Sequence, residues 1–381
     1  AINNDVFGLS ASGTNGGQAA IAPLSIDAID QFQVVISPFD ASLGNFTGGG
    51  INAVTRSGTN QFEGSAYFFG RNESTLGPNV LTNLKTPGYT NNQYGFRVGG
   101  PIIKDKLFFF VNAESQRIKS PLINNAGEAG SAISSATAKQ IADYALATWG
   151  YDVGSYGVQD ARTENDKVFA KLDWNINAKN QLTLRYNYIE AFDDNISRSA
   201  TLFRFGNNAY KFNNKQNVGV LELRSKISDR ASNNLILGYT SVRDFRTTAG
   251  QLFPFIEIRA IDGFASNTAQ IGSERSSVAN QLDQDVIELT DNFKLSLGKH
   301  NLTLGTHNEF FKFRNLFMNN YNGRWTYNNM ADFLAGKPNQ IQATYSAIPG
   351  VDRPEAKFTA AQLGFYVQDE FEAAKGLKIG R

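Results

Sequence analysis

Period-two alternation constrains this chain more than any other feature, because it recurs in segments of about a dozen residues. In residues 168–176 every second residue is apolar, whereas Lys171, Asp173 and Asn175 occupy the positions between. Residues 182–188 repeat the pattern. Successive side chains of a strand point to opposite faces. Each segment therefore predicts a strand with one face for hydrocarbon and one for water.

The connections between these segments alternate in length. Tight links at 104–105, 177–180, 228–231, 298–299 and 374–376 separate long ones at 72–91, 119–162, 191–213, 247–276 and 316–355. In an up-and-down antiparallel sheet, this order places every tight turn at one rim and every long loop at the other, as in outer-membrane barrels. A soluble sandwich gives no reason for such sorting.

The pattern predicts eleven strands in all, with two short helices inside the long loops. The strands are expected at 61–71, 92–102, 106–118, 163–176, 181–190, 214–227, 232–246, 278–297, 300–315, 356–373 and from 377 onward. The helices are expected at 135–149 and 327–335, each followed by a glycine stop signal. The predicted fold is all-β, a transmembrane antiparallel β-barrel. Because bacterial single-chain barrels close with an even number of strands, we expect this chain to end within the barrel.

The first sixty residues follow a different pattern. They are rich in Gly, Ala, Ser and Asn, with strand-like runs at 32–36 and 51–55 on either side of a glycine triplet. We interpret them as part of a small separate domain, cut at its front.

Composition and charge remove several classes of function. The chain has 36 basic and 35 acidic side chains, a formal net charge of +1 and no Cys. Because the chain has no basic surface, we expect no nucleic acid as a partner. Because it has no Cys, it can have no thiolate metal site and no Cys nucleophile. His300 and His307 are seven positions apart on an alternating strand, so they point to opposite faces. We expect no catalytic residues, no metal and no cofactor.

Several distinct motifs follow one another along the chain. They are GGGINAVTRSGTN at 48–60, preceded by FDA at 39–41 and followed by GSAY at 64–67; GFRVGGPIIKDKLFFF at 95–110 with Glu114 and Arg117; ADFLAGKP at 331–338; and FYVQDEF at 365–371. Together they resemble TonB-dependent outer-membrane receptors, and the Ser-Gly-Thr-Asn version resembles the Oar-like branch of that family.

This resemblance implies a complete barrel of about 22 strands, closed by an N-terminal plug domain. It implies that residues 1–59 form the C-terminal part of the plug domain and that residues 60–381 form the N-terminal half of the barrel. It also implies a bacterial outer-membrane location and outer-membrane lipid around the barrel. A TonB-type energy-coupling protein is the implied partner, through a segment missing from this chain. A surface lipoprotein or another outer-membrane subunit is a further possible partner.

Two sets of candidate site residues follow. The candidates for contact between plug and barrel are Asn52, Thr55 and Arg56 on the plug side, with Asp173 and Glu288 on the wall. The candidates for ligand contact, all in long loops, are Tyr89, Trp149, Tyr151, Tyr156, Phe203, Phe205, Tyr321, Trp325 and Tyr327. Aromatic rings with polar handles suit saccharides, peptides or siderophore-like ligands. The alternative interpretation is that these rings pack the loops together or form the interfacial girdle.

The function expected from the resemblance is energised uptake of an unidentified ligand through a plugged barrel. Two alternatives stay open on the sequence. One is the same scaffold acting as a surface adhesin or an accessory of protein export. The other is a soluble secreted all-β binding protein.

Overall fold

The structure is a computed structural model, and it describes residues 22–36, 41–42, 49–78, 88–374 and 377–380. Parts of the quoted motif at 39–40 and the predicted turn at 375–376 lie outside these residues. In chain order the strands are β1 (Ile29–Ile36), β2 (Gly49–Thr55), β3 (Glu63–Asn72), β4 (Thr90–Ile103), β5 (Leu107–Pro121), β6 (Asp160–Asn177), β7 (Asn180–Asn195), β8 (Leu202–Arg204), β9 (Tyr210–Lys226), β10 (Ala231–Thr248), β11 (Phe255–Arg259), β12 (Thr268–Ile271), β13 (Asn280–Leu297), β14 (His300–Phe317), β15 (Arg324–Tyr327), β16 (Gln340–Gln342), β17 (Ala356–Ala374) and β18 (Leu377–Gly380). The helices are α1 (Ser135–Trp149) and α2 (Met330–Leu334).

The largest element is an eleven-stranded antiparallel sheet, here called the wall. Its order is β18-β17-β14-β13-β10-β9-β7-β6-β5-β4-β3. Wall strands that are consecutive along the chain are therefore neighbours in the sheet. The number of strands in the wall is as predicted, and each predicted segment overlaps one of them. Several strands run further toward the long loops than expected: β6 begins at Asp160 rather than at residue 163. The wall is open, because β3 and β18 stand at its two ends.

The two faces of the wall differ as the alternation predicts. On β6, Leu172 and Trp174 are 39% and 40% exposed, whereas Asp173 between them is 7% exposed. Leu184 on β7 lies opposite Leu172 and is also exposed. We call the face that carries Leu172 the outer face and the other the inner face. An outer face of exposed leucine, tyrosine and tryptophan side chains suits lipid and not water.

An N-terminal hairpin precedes the wall. β1 and β2 pair antiparallel, with Val34 opposite Ile51 and Phe32 opposite Ala53. The strand-like runs at 32–36 and 51–55 are therefore real strands, although β1 begins earlier than expected. A 3-10 turn at Ile26–Ala28 leads into β1.

The long connections carry a second compact unit, here called the loop layer. It consists of α1, α2 and a five-stranded sheet in the order β16-β15-β11-β12-β8. The sheet is mixed, because β11 pairs with β15 and β12 pairs with β8 in parallel. Buried apolar side chains from the last four long connections form one core, which includes Ile141, Phe203, Ile256 and Phe333.

The helices agree in part with the sequence. α1 has the predicted bounds: the Ser134 hydroxyl oxygen accepts a hydrogen bond from the Thr137 N–H at 3.2 Å, and Gly150 ends the helix with φ of 62°. α2 is shorter than predicted, because Asn329 caps it and Tyr327 belongs to β15 instead. Neither helix combines the length and the apolar character needed to cross a bilayer.

Candidate functional site

The segment leading into the hairpin is seated on the inner face of the wall, at the buried carboxylate of Glu114. The Ser25 hydroxyl donates to Glu114 Oε2 at 2.8 Å. From the wall itself, Lys167 Nζ lies 2.9 Å from Glu114 Oε1, and Tyr67 and Gln93 donate to Oε2 at 2.6 and 3.0 Å. Glu114 is only 5% exposed. Four donors compensate the desolvation of this carboxylate, and one of them comes from the hairpin segment.

A second contact lies two residues further along the chain. Asp27 forms an ion pair with Arg97 of β4 at 3.0 Å. Ala28 is fully buried, and it packs against Phe110 of β5 and Phe169 of β6. Both rings lie on the inner face of the wall. The turn at Ile26–Ala28 is therefore held by one charged and one apolar contact.

The segment from the hairpin to β3 also runs close to the wall. A Cβ atom on Gly58 would lie 2.8 Å from the carbonyl oxygen of Gly100, so no larger residue fits there without displacing backbone. Beside it, Lys171 Nζ donates to the Ser57 hydroxyl oxygen at 2.8 Å.

The predicted contact residues of the hairpin line a cavity between the hairpin and the wall. Asn52, Thr55 and Arg56 all border this cavity, whose volume is about 680 Å³. Their hydrogen bonds, however, stay within the hairpin: Asn52 Nδ2 donates to Gln33 at 3.2 Å, and Arg56 pairs with Asp30 at 3.3 Å.

The two predicted wall carboxylates lie in different places. Asp173 borders the same cavity as Arg56, but it accepts its hydrogen bond from Thr183 of the neighbouring strand at 2.7 Å. Glu288 on β13 is not among the residues that line this cavity, and it accepts a hydrogen bond from Thr290 at 3.1 Å. Among the described residues, the hydrogen bonds between the hairpin segment and the wall come from other residues, such as Ser25 and Ser57, and contact at the five predicted positions stays a prediction.

Ser25, Asp27 and the pair of Glu114 and Lys167 form the contact between hairpin segment and wall, and none of them was among the predicted contact residues. A signal for the wall pair exists, because alternation places both side chains on the inner face and the register sets them directly opposite each other. Cross-strand charges of opposite sign stabilise such a pair. Nothing local marks Ser25 or Asp27, since their partners lie far away in the chain.

Four of the predicted ligand-contact residues are core residues of the loop layer. Tyr151, Phe203, Phe205 and Tyr327 are each at most 2% exposed. Their rings pack on one another and on neighbours, as where Tyr151 stacks on Phe253 with centroids 4.1 Å apart. Burial raises the pKa of both tyrosines to about 12. The expectation that these four contact a ligand is corrected: the alternative interpretation, that they pack the loops, describes them.

The other five predicted aromatic residues are half-buried. Trp149 and Trp325 meet edge to face, with centroids 6.0 Å apart. Tyr156 packs against the same core, Tyr321 donates a hydrogen bond to Asp352, and Tyr89 lies just before β4. All five keep some exposed surface that a ligand can contact, and their role in ligand contact stays a prediction.

A buried arginine joins separate parts of the loop layer. Arg198 donates to the carbonyl oxygens of Gly157 at 2.8 Å, Ser155 at 3.0 Å and Arg204 at 3.0 Å, and also to the Asn125 side chain. Burial lowers the pKa of its guanidinium to about 10. One side chain thereby ties together the two long connections on either side of β6 and β7.

The chain is similar to known outer-membrane proteins. The family model described as outer membrane beta barrel domain matches residues 54–128 and 121–380. A 122-residue stretch is 36% identical to the TonB-dependent transporter Oar of Myxococcus xanthus, and it covers 28% of this chain and 10% of that protein.

Solved structures share the fold at low sequence identity. The outer membrane transporter YddB from Escherichia coli has a TM-score of 0.59 at 11% identity, over 92% of this chain and 42% of that one. The ferric enterobactin receptor PfeA from Pseudomonas aeruginosa has a TM-score of 0.53 at 14% identity, over 94% of this chain and 44% of that one. The chain thus spans less than half the length of these relatives, which are transporters and receptors and not enzymes. The resemblance to TonB-dependent receptors is confirmed, and the chain belongs to the outer membrane β-barrel family of the bacterial outer membrane.

Proposed function

We propose that this chain contributes part of the plug and half of the wall to an energised outer-membrane transporter. Residues 1–59 are the proposed plug part, and residues 60–381 are the proposed half-barrel. A TonB-type inner-membrane protein would supply the energy through a segment outside this chain. The similarity to a protein named as a TonB-dependent transporter supports the assignment.

The seating of the hairpin carries the proposal. A barrel of about 22 strands leaves a lumen that side chains alone cannot fill. The hairpin segment lies against the inner face, and the contacts that hold it there among the described residues come from a few side chains, chiefly Ser25, Asp27 and Ala28. Each hydrogen bond adds about 1 kcal/mol net. An applied force can break such a small set of contacts while the wall stays intact.

The proposed ligand enters from the loop layer. The half-buried rings of Trp149, Tyr156 and Trp325 present apolar surface with polar handles on that side, which suits an organic ligand with both hydroxyl or amide groups and apolar parts. Saccharides, peptides and siderophore-like molecules all have this chemistry.

A labelling experiment in living cells tests energised movement of the plug without a known ligand. The chain has no cysteine, so Ala28→Cys in the full-length protein creates a single reactive group in this region, buried under the hairpin. Ala136→Cys, at an exposed position of α1 in the loop layer, is the matched control for access of the reagent from the medium. Both variants are treated with a thiol-reactive polyethylene glycol in growth medium, with and without a protonophore.

We expect labelling at position 28 in energised cells and its loss with the protonophore, while position 136 is labelled in both conditions. Equal labelling at position 28 in both conditions would contradict energised transport. That result would favour the same scaffold acting as an adhesin or an accessory of protein export, because neither role requires the plug to move.

A further inference from the structure

Asp291 of β13 interrupts the apolar side chains on the outer face of the wall. Leu289 is joined to Leu172 through directly paired residues of β7, β9 and β10, so it belongs to the outer face. Asp291 lies two positions further along the strand and therefore faces the same way. The other outer positions of β13 between residues 287 and 297 are all apolar: Ile287, Leu289, Phe293, Leu295 and Leu297. A single carboxylate thus lies on a face that otherwise suits lipid.

This carboxylate lies deep in the apolar band of the outer face. The strand from Ile287 to Leu297 spans about 33 Å, or about 25 Å along the membrane normal at a barrel tilt of about 40°. This span equals the height of the apolar band of outer-membrane barrels, about 25 Å. Asp291 is therefore about 10 Å from the loop-side edge of the band and about 15 Å from its turn-side edge. Polar head groups do not lie at that depth.

Polar side chains of the two neighbouring strands adjoin Asp291. Asn233 of β10 donates from Nδ2 to Asp291 Oδ1 at 2.7 Å. On β14, Thr306 lies directly opposite Asp291, and Asn308 donates to the Thr306 hydroxyl oxygen at 2.7 Å. The Thr306 hydroxyl donates to the carbonyl oxygen of Gly364 on β17 at 2.8 Å. We call Asn233, Asp291, Thr306 and Asn308 the outer patch, because they form one polar stripe across three strands of the outer face.

Two acceptors of the outer patch are short of donors. Asn308 is 6% exposed, and its side-chain oxygen has no hydrogen-bond partner in the described part of the chain. Asp291 accepts one hydrogen bond there, from Asn233, and no Lys, Arg or His of the described residues lies within ion-pair distance of it. Acyl chains offer no donors, and ionisable groups at membrane depth ordinarily face protein or a water-filled cavity. The outer patch therefore suits contact with protein and not with lipid.

The acceptors also define the chemistry of that protein. A group that covers the patch must donate hydrogen bonds, and a cation suits the carboxylate best. A second copy of this chain is a poor match, because a two-fold contact at the patch would bring two Asp291 carboxylates together. Among the described residues, moreover, the outer face has no Lys or Arg at this depth. On the neighbouring strands the outer cations begin beyond the apolar band, at Lys215, Arg243 and Lys312.

We propose that the outer patch docks a membrane-spanning segment of a different outer-membrane subunit, and that this segment places a Lys or Arg side chain against Asp291. The cation pairs with the carboxylate, and a further donor of the same segment satisfies the Asn308 oxygen. Exposed apolar side chains beside the patch, such as Leu304 and Leu363, supply the surrounding contact surface. The patch lies outside the lumen, so the proposal does not depend on energised transport.

Photo-crosslinking in the cells that naturally produce the full-length protein tests this proposal. Leu304, an exposed outer residue two positions from Thr306, is replaced by the photoreactive amino acid p-benzoylphenylalanine. Leu184, an exposed outer leucine of β7, is replaced in the same way as the matched control. The probe at position 304 is then combined with Asp291→Asn, which removes the charge, and with Asp291→Glu, which keeps it. Heat-modifiable gel migration shows that each variant is folded.

We expect a protein adduct at position 304 that is absent at position 184. It should persist with Asp291→Glu and fall at least roughly tenfold with Asp291→Asn, because a charge pair that loses one member is strongly weakened. Mass spectrometry should place the adduct in a spanning segment with a Lys or Arg. Changing that basic residue to Asp should restore the adduct in an Asp291→Lys variant. Crosslinking to lipid alone, to a second copy, or to a protein whose yield ignores Asp291→Asn would each overturn the proposal.

Discussion

At the scale of single residues, Arg198 has the largest predicted effect on the loop layer. Arg198→Ala removes four hydrogen bonds from a buried guanidinium, three of them to the carbonyl oxygens of Gly157, Ser155 and Arg204. Because a hydrogen bond that involves a charged group contributes about 1.5 to 3 kcal/mol, we expect the loop layer to lose at least about 3 kcal/mol of stability. Limited proteolysis and amide hydrogen exchange between residues 122 and 159 should report this loss as faster cleavage and exchange.

The control for this prediction is another arginine of the same layer. Arg259 pairs with Glu257 on its own strand and its side chain is 48% exposed, so Arg259→Ala should change stability by less than about 1 kcal/mol. Arg198→Lys keeps a charge but cannot reach all of the carbonyl oxygens, and it should give an intermediate result. If the amides between residues 122 and 159 exchange at the same rate in Arg198→Ala and in Arg259→Ala, Arg198 does not hold the layer together.

The sequence predicted local features at this scale and missed the distant ones. The Ser134 cap and the Gly150 stop of α1 depend on neighbours within one turn, so the residue types were sufficient. The role of Arg198 depends on carbonyl oxygens from other parts of the chain, which no residue pattern identifies. The four buried aromatics of the loop layer were misjudged for the same reason.

At the scale of elements, the orientation of the wall strands can be tested with one matched pair of variants. Leu172 lies mid-way along the apolar part of β6 and faces outward, so Leu172→Arg should cost about 2 to 4 kcal/mol in a bilayer. Thr183 on the neighbouring strand faces inward, borders the 680 Å³ cavity and contacts Asp173. Thr183→Arg removes the hydroxyl donor to Asp173 but places a guanidinium beside that carboxylate in a polar cavity, so it should cost clearly less than Leu172→Arg.

Urea titration of the full-length protein in phospholipid vesicles measures both variants, with folding read from heat-modifiable gel migration. Equal destabilisation at the two positions would show that the inner and outer faces are wrongly assigned.

The wall strands were predictable because their pairing is between neighbours in sequence and their alternation extends over many residues. The loop-layer strands were not. β8 has only three residues, and its parallel partner β12 lies more than sixty residues away. So short a segment shows no period, and its pairing is set by the core of the layer.

At the scale of the whole molecule, two compact units and a hairpin are joined by few contacts. The wall has continuous hydrogen-bonded ladders from β3 to β18, and the loop layer has its own apolar core. In the part of the chain that the structure describes, the hairpin shares neither a hydrogen-bonded ladder nor an apolar core of this size with the wall, and a handful of side chains hold it there. We therefore expect it to be the part that can separate while the rest stays folded.

This difference leads to a prediction about leakage through the full-length protein. Ser25→Ala combined with Asp27→Ala removes the polar contacts of the hairpin segment to Glu114 and Arg97. Glu114 keeps its donors on the wall, so the wall itself should remain folded. Two contacts of about 1 kcal/mol each correspond to a roughly thirtyfold higher probability of a detached hairpin.

Single-channel recording in planar bilayers should show this as more frequent opening, and cells that carry the double variant should become more sensitive to vancomycin. Asn52→Ala is the matched control, since Asn52 borders the 680 Å³ cavity beside the wall, while its side-chain hydrogen bond among the described residues stays within the hairpin, to Gln33. It should leave conductance and sensitivity unchanged. A double variant that stays as tight as the control would mean that contacts other than those at Ser25 and Asp27 hold the hairpin in the lumen.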